Sequence, residues 1–145
     1  MKIINEMNLS FSSKSTNEGF ARSAVASFAL SLDPTINELA DIKTAVSEAV
    51  TNCIVHGYRY EPGIIYINVK ITDTSRAIIK IRDKGCGIEN IAQAMEPLFT
   101  TAGGERAGLG FAVMQSFMDK VKVTSTVNKG TVVVMEKAIL HPSYE

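Results

Sequence analysis

The chain has 145 residues, with fifteen Lys and Arg balanced by fifteen Asp and Glu, a formal net charge of +0 and a sequence pI near 6.7. That balance excludes the basic excess that nonspecific nucleic-acid binding needs, and no apolar run reaches the roughly 20 residues of a membrane helix. With hydrophobic residues at 46%, charged residues at 21% and only Cys53 and Cys86 as cysteines, the composition implies a folded domain in a reducing cytoplasm, with no disulfide framework or structural zinc site.

Met7, Leu9 and Phe11 alternate within residues 3–11, the period of a strand. Ser15 and Glu18 have capping-box spacing and open a helix with the apolar stripe Phe20, Ala24, Val25, Phe28 and Leu32. Asp33 and Pro34 read as an N-cap and first helical residue. The helix after them runs to about His56, burying Ile36, Leu39, Ile42, Val46, Val50, Cys53 and Ile54, and Gly57 stops it. Strands follow over 64–72 and 76–83, joined by the turn Asp73, Thr74 and Ser75. Then come a short helix near 88–95, a Gly-rich loop over 100–108 and a helix over 109–119. A last hairpin, 121–127 with 131–137, turns at Asn128, Lys129 and Gly130. No linker or repeat divides the chain. Residues 1–140 read as one α/β domain, a two-layer sandwich with helices on one face of a mixed β-sheet, and 141–145 as a loose tail.

Glu48, Asn52 and His56 recur every four residues, so they form one polar stripe on the second helix beside the small residues Ala45 and Ala49. Such a stripe is most often a solvated face. Here an Asn carbonyl could serve as a hard oxygen donor for magnesium, and a carboxylate one turn away could accept a proton. Asp83, Gly85 and Gly87 end a strand. The pattern suits a turn, and it equally suits a flat ring brought against glycine backbone with its exocyclic amine donating to the carboxylate. Gly108 and Gly110 precede a helix, where bare N–H groups can face an anion, and Arg106 adds a planar cation. A flexible hinge is the other reading of that loop. Neither GxxxxGK[ST] nor GxGxxG is complete.

Taken in order, with Gly130 and Thr131 last, these elements resemble the N, G1, G2 and G3 boxes of the GHKL superfamily of ATPases and kinases. Ser47-Glu48-Ala49-Val50-Thr51-Asn52, His56-Gly57-Tyr58, Pro97-Leu98-Phe99-Thr100-Thr101 and Gly108-Leu109-Gly110-Phe111 resemble, more closely, its anti-sigma serine kinases. Arg22 within Gly19-Phe20-Ala21-Arg22, and Leu32-Asp33-Pro34-Thr35, are similar to the sporulation branch of that family.

The resemblance implies a GHKL (Bergerat) ATP-binding fold and an ATP-dependent protein serine kinase that is also an anti-sigma factor. Its substrates and cofactors would be ATP or ADP with Mg²⁺. Its partners would be a sporulation sigma factor, an anti-anti-sigma protein phosphorylated on serine, and a second copy in a homodimer, with no direct nucleic acid and no membrane. It implies Glu48 as the catalytic base, Asn52 as the magnesium ligand and Asp83 as the acceptor of the adenine amine. Gly85, Gly87 and Thr131 would line the base pocket; Thr100, Thr101, Arg106, Gly108, Leu109 and Gly110 would form the lid and phosphate region; Arg22 would touch protein partners. Two other classes stay open: a histidine-kinase-type catalytic domain, and an anti-sigma module that binds nucleotide without transferring phosphate.

Overall fold

Alternating Ile and Val dictate the sheet. In the computed structural model, which describes residues 1–95 and 110–140, strand β2 (Ile64–Thr72) buries Ile65, Ile67, Val69 and Ile71, and β3 (Arg76–Asp83) buries Ala77, Ile79, Ile81 and Asp83. Each apolar side chain so buried contributes about 1.5–3 kcal/mol. Beside them lie β1 (Ile3–Ser12), β4 (Lys120–Thr126) and β5 (Gly130–Ala138), in the spatial order β1-β2-β3-β5-β4. The two layers are those expected, but every neighbouring pair is antiparallel rather than mixed. The reason is placement: β4 runs parallel to β3, yet its hairpin partner β5 lies between the two.

Helices α1 (Asn17–Ala29) and α2 (Ile36–Asn52) cover one face, with α4 (Phe111–Phe117) against α2 and the single turn α3 (Ile91–Ala94) near β4. No helix among the described residues is long and apolar enough to cross a membrane. The expected phase of α1 is corrected by one position: it buries Ala21, Val25 and Ala29, and Phe20 is 52% exposed. Alanines let α1 approach α2 closely, while the Phe20 ring turns edge-on to Phe11, centroids 6.2 Å apart.

The helix starts differ too. Thr16, the residue before α1, makes no side-chain cap, so Ser15 and Glu18 form no capping box. The box belongs to α2, where Glu38 N donates to Thr35 Oγ1 (3.1 Å) and Thr35 N donates to Glu38 Oε1 (2.9 Å). Asp33, with φ of 55°, instead ends a 3₁₀ turn over Leu30–Leu32, so the helix begins only at Ile36, which is 85% exposed rather than buried. At its other end α2 widens into a π-turn over Cys53–Gly57, with Tyr58 N donating to Cys53 O at 2.8 Å.

Candidate functional site

The π-turn brings the end of α2 against the loop that follows β3. Gly57 has no positive φ, so it is not a left-handed helix stop; it is small because Asp83 occupies the space beside it. A Cβ at Gly57 would stand 2.8 Å from Asp83 Cγ, and one at Gly85 would collide with the Gly57 carbonyl. That carbonyl accepts from Cys86 N at 2.9 Å, and Cys86 Sγ donates to His56 O at 3.1 Å. From the other side, Asn128 N donates to Cys86 O (2.7 Å) and Ile88 N to Ser125 Oγ (2.8 Å). The Asp-x-Gly-x-Gly loop is therefore stitched to α2 and to the β4–β5 hairpin at once. Gly87, with φ of 78°, makes the bend that permits it.

Tyr58 secures the same corner. Its hydroxyl donates to Ile64 O at 2.5 Å and accepts from Lys84 N at 2.8 Å. The sequence pattern gave Tyr58 and Gly57 no contact role; an aromatic directly after His-Gly, at a helix end, was the only local signal.

Asp83 is 4% exposed. Burial pushes its carboxyl above the ordinary value of 3.8, opposed by the Gly85 N–H, which donates to Oδ1 at 2.8 Å, by the Cys53 thiol and by the Thr131 N–H. Cys53, also buried, is pushed well above 9.0 by burial and by the carboxylate beside it, and so stays a thiol. Within this network Asp83 is an acceptor throughout, held rigidly at a cavity wall.

That cavity gathers Asn52, Asp83, Gly87 and Thr131 with His56, between the apolar walls Ile81, Ile88, Phe111 and Val133. Residues far apart in sequence thus meet in one cavity. Asn52 is 8% exposed at the last position of α2. Thr131 Oγ1 lies 2.8 Å from Ser125 Oγ, a partner the sequence did not single out. Glu48, one turn before Asn52, reaches the start of α4: a Cβ on Gly110 would overlap Glu48 Oε1. Glu48 thus sits at the N-terminus of α4, whose Phe111 lines the cavity together with Asn52. Arg22 does not stand opposite the buried face of α1. It leans onto α2, where Nη1 donates to Ser47 Oγ at 3.1 Å, with Glu18 at 3.9 Å. Thr100, Thr101, Arg106, Gly108 and Leu109 lie outside the described residues.

An apolar slot with one buried carboxylate and glycine backbone on one wall has room and polarity for a flat ring that carries an amine. Solved structures share the fold. The RsbU and RsbW domains of Rv1364c from Mycobacterium tuberculosis match with a TM-score of 0.69 at 14% identity, over 94% of this chain and 32% of that one. The catalytic domain of the histidine kinase ThkA matches with a TM-score of 0.57 at 16% identity, over 94% of this chain and 97% of that one. The sequence profile described as the histidine kinase-like ATPase domain matches residues 11–137, which sets the class. The chain is also 59% identical over 140 residues to the anti-sigma F factor of Thermoanaerobacter sp. (strain X514), covering 96% of this chain and 97% of the relative. It is 56% identical over 137 residues to that of Geobacillus thermodenitrificans, covering 93% of each. The chain belongs to the anti-sigma F factor family.

Proposed function

We propose that this chain binds ATP in the Asn52–Asp83 cavity, transfers the γ-phosphoryl group to a serine of an anti-anti-sigma protein, and holds a sporulation sigma factor inactive. The observation that carries the reading is the convergence of Asn52, Asp83, Gly87 and Thr131 on one slot in a chain 59% identical to an anti-sigma F factor. Asp83 accepts from the adenine amine, because its carboxylate is already oriented by the Gly85 N–H. Gly87 presents backbone to the ring, and Thr131 closes the slot.

Asn52 fits magnesium by the chemistry of its donor: a buried neutral amide oxygen at a helix end leaves the remaining positions to phosphate oxygens and water. When bound, Mg²⁺ neutralises charge on the phosphates. Glu48 orients the incoming serine hydroxyl and takes its proton, from a carboxylate placed at the start of α4. Thr100, Thr101, Arg106, Gly108 and Leu109 are assigned to the phosphates, and the bare α-carbon of Gly110 leaves room for the Glu48 carboxylate. Arg22 supplies a charged contact to the protein partners.

A homodimer forms through β1, an edge strand of ten residues whose one charged side chain is Glu6, whereas the opposite edge, β4, is guarded by Lys120 and Lys122. The setting is cytoplasmic, as two free cysteines allow. Incubation with γ-labelled ATP and candidate partner proteins tests the reading. Label on serine supports it, label on histidine makes the chain a histidine-kinase-type domain, and no label with sigma binding retained makes it a nucleotide-dependent binding module.

A further inference from the structure

We infer that the solvent side of the sheet, opposite the helices, docks an extended acidic peptide segment of a protein partner. Charge on this chain is segregated although its sum is zero. Lys80 and Arg82 on β3 and Lys122 on β4 are exposed and share the face that the helices leave open, and Lys84 follows directly on β3. Register fixes their spacing. Lys80 and Lys122 both stand opposite Val134 of β5, so they lie about 10 Å apart across the sheet, two strand spacings. Lys80 and Arg82 repeat along β3 about 7 Å apart, which is the i, i+2 spacing of like-facing side chains in an extended peptide. The acids on this side are already engaged: Glu6 accepts from Asn68 Nδ2 at 2.7 Å, and Glu136 is paired with Arg76 at 2.8 Å.

The surface is concave. A depression of ≈ 510 Å³ lies over β1–β3, including Lys80 and Arg82, and a second of ≈ 340 Å³ over β3–β5–β4 includes Arg82 and Lys84. Arg82 bridges the two. An acidic peptide fits better than single-stranded nucleic acid for a reason visible at Tyr66. Its ring carries the Arg82 guanidinium at 4.7 Å and the Lys84 ammonium at 5.0 Å from its centroid, so cations occupy the aromatic face on which a base would stack. That stacking also fixes the position of both cations on the sheet face.

The second depression borders Asp83 and Thr131 of the nucleotide site, but Lys80 and Lys122 lie outside that site, so one sample tests both separately. Isotope-labelled full-length protein is titrated with a peptide of alternating Glu and Thr, with a single-stranded RNA oligonucleotide, and with ATP. The peptide is expected to shift outward-facing residues of β2, β3, β5 and β4 saturably and to lose affinity with added salt. Lys80→Glu/Lys122→Glu is expected to bind the peptide at least about tenfold more weakly while binding ATP as the parent does. If that pair perturbs folding, Lys80→Gln/Lys122→Gln serves in its place. No saturable shift, equal peptide affinity in the variant, or tighter binding of the RNA at the same residues overturns the inference; loss of ATP binding alone bears only on the nucleotide site.

Discussion

The carboxylate of Glu48 rests against the α-carbon of Gly110, and no side chain fits between them. Gly110 also has a φ of 71°, so a Cβ there is strained twice over. If Glu48 is the base, Glu48→Gln should keep ATP affinity and sigma binding while slowing serine phosphorylation by about 10²–10⁴-fold. Gly110→Ala should displace the same carboxylate and reproduce the kinetic loss, with about 1–3 kcal/mol of destabilisation. Single-turnover transfer and ATP titration on both variants check this. Normal transfer in Glu48→Gln places the base elsewhere.

Asp83 links the stability of the fold to pH. Its pKa is raised in the folded state, so the folded form holds the proton more tightly than the unfolded one. The stability this contributes is fully present below the ordinary value of 3.8 and is lost as pH rises through the folded value. Asp83→Asn should therefore flatten the fall in stability with rising pH just above that ordinary value, measured by urea unfolding of the nucleotide-free protein. The same variant should lose about 1–3 kcal/mol of ATP binding, since it offers a donor to the adenine amine. An unchanged preference for ATP over GTP would remove Asp83 from base recognition.

How much of this was legible in the sequence varies by element. Asp83, Gly85 and Gly87 announced themselves because the motif is local, and Asn52 because four-residue spacing sets a helix stripe. The contact of Gly57 with Asp83 was hidden, since it depends on a π-turn that no periodicity encodes and on a loop distant in sequence. The phase of α1 was misjudged because Phe20 and Phe28 outweigh alanines in hydrophobicity, whereas helix contact favours the small Ala21 and Ala29. Strand order escaped too: patterning marks β3, β4 and β5 as strands but does not say which lies in the middle.

If Asn52 holds the magnesium ion as proposed, Asn52→Ala should weaken binding of Mg·ATP far more than that of metal-free adenosine, since Asp83 is untouched. Calorimetric titration of both ligands checks this. Equal losses would make Asn52 a packing residue at the cavity wall.

Arg22 is tied to Ser47 on α2, the residue preceding Glu48. Arg22→Glu should reduce sigma binding in a pull-down and leave ATP affinity normal. Arg22→Ala separates charge from tether: if it weakens sigma binding as much, the contact matters more than the repulsion the new acid adds.

Arg59 and Tyr60 both adopt positive φ, 53° and 67°, in a tight turn closed by Glu61 N donating to Tyr58 O at 2.9 Å. This is the geometry in which Asn-Gly is preferred. Tyr60 is 72% exposed, so little packing offsets the strain. Tyr60→Gly should leave the folded protein at least as stable, with a gain of up to about 1 kcal/mol in urea unfolding. A clear loss would mean that the ring makes a contact worth more than the backbone strain.

The interior place of β5, between β3 and β4, bears on how the chain is made. A ribosome delivers β1, β2 and β3 early, and they can pair as a meander, but the outer edge of β3 must wait for a strand that emerges after β4. Until then the carbonyls and amides from Arg76 to Asp83 are unpaired on that side, and the Asp83 loop lacks Thr131 and the Asn128 contact that anchor it. The nucleotide slot is therefore among the last parts to be assembled, and a nascent chain that has completed the β1–β3 meander still presents an open strand edge, which is the state most exposed to mispairing with another chain.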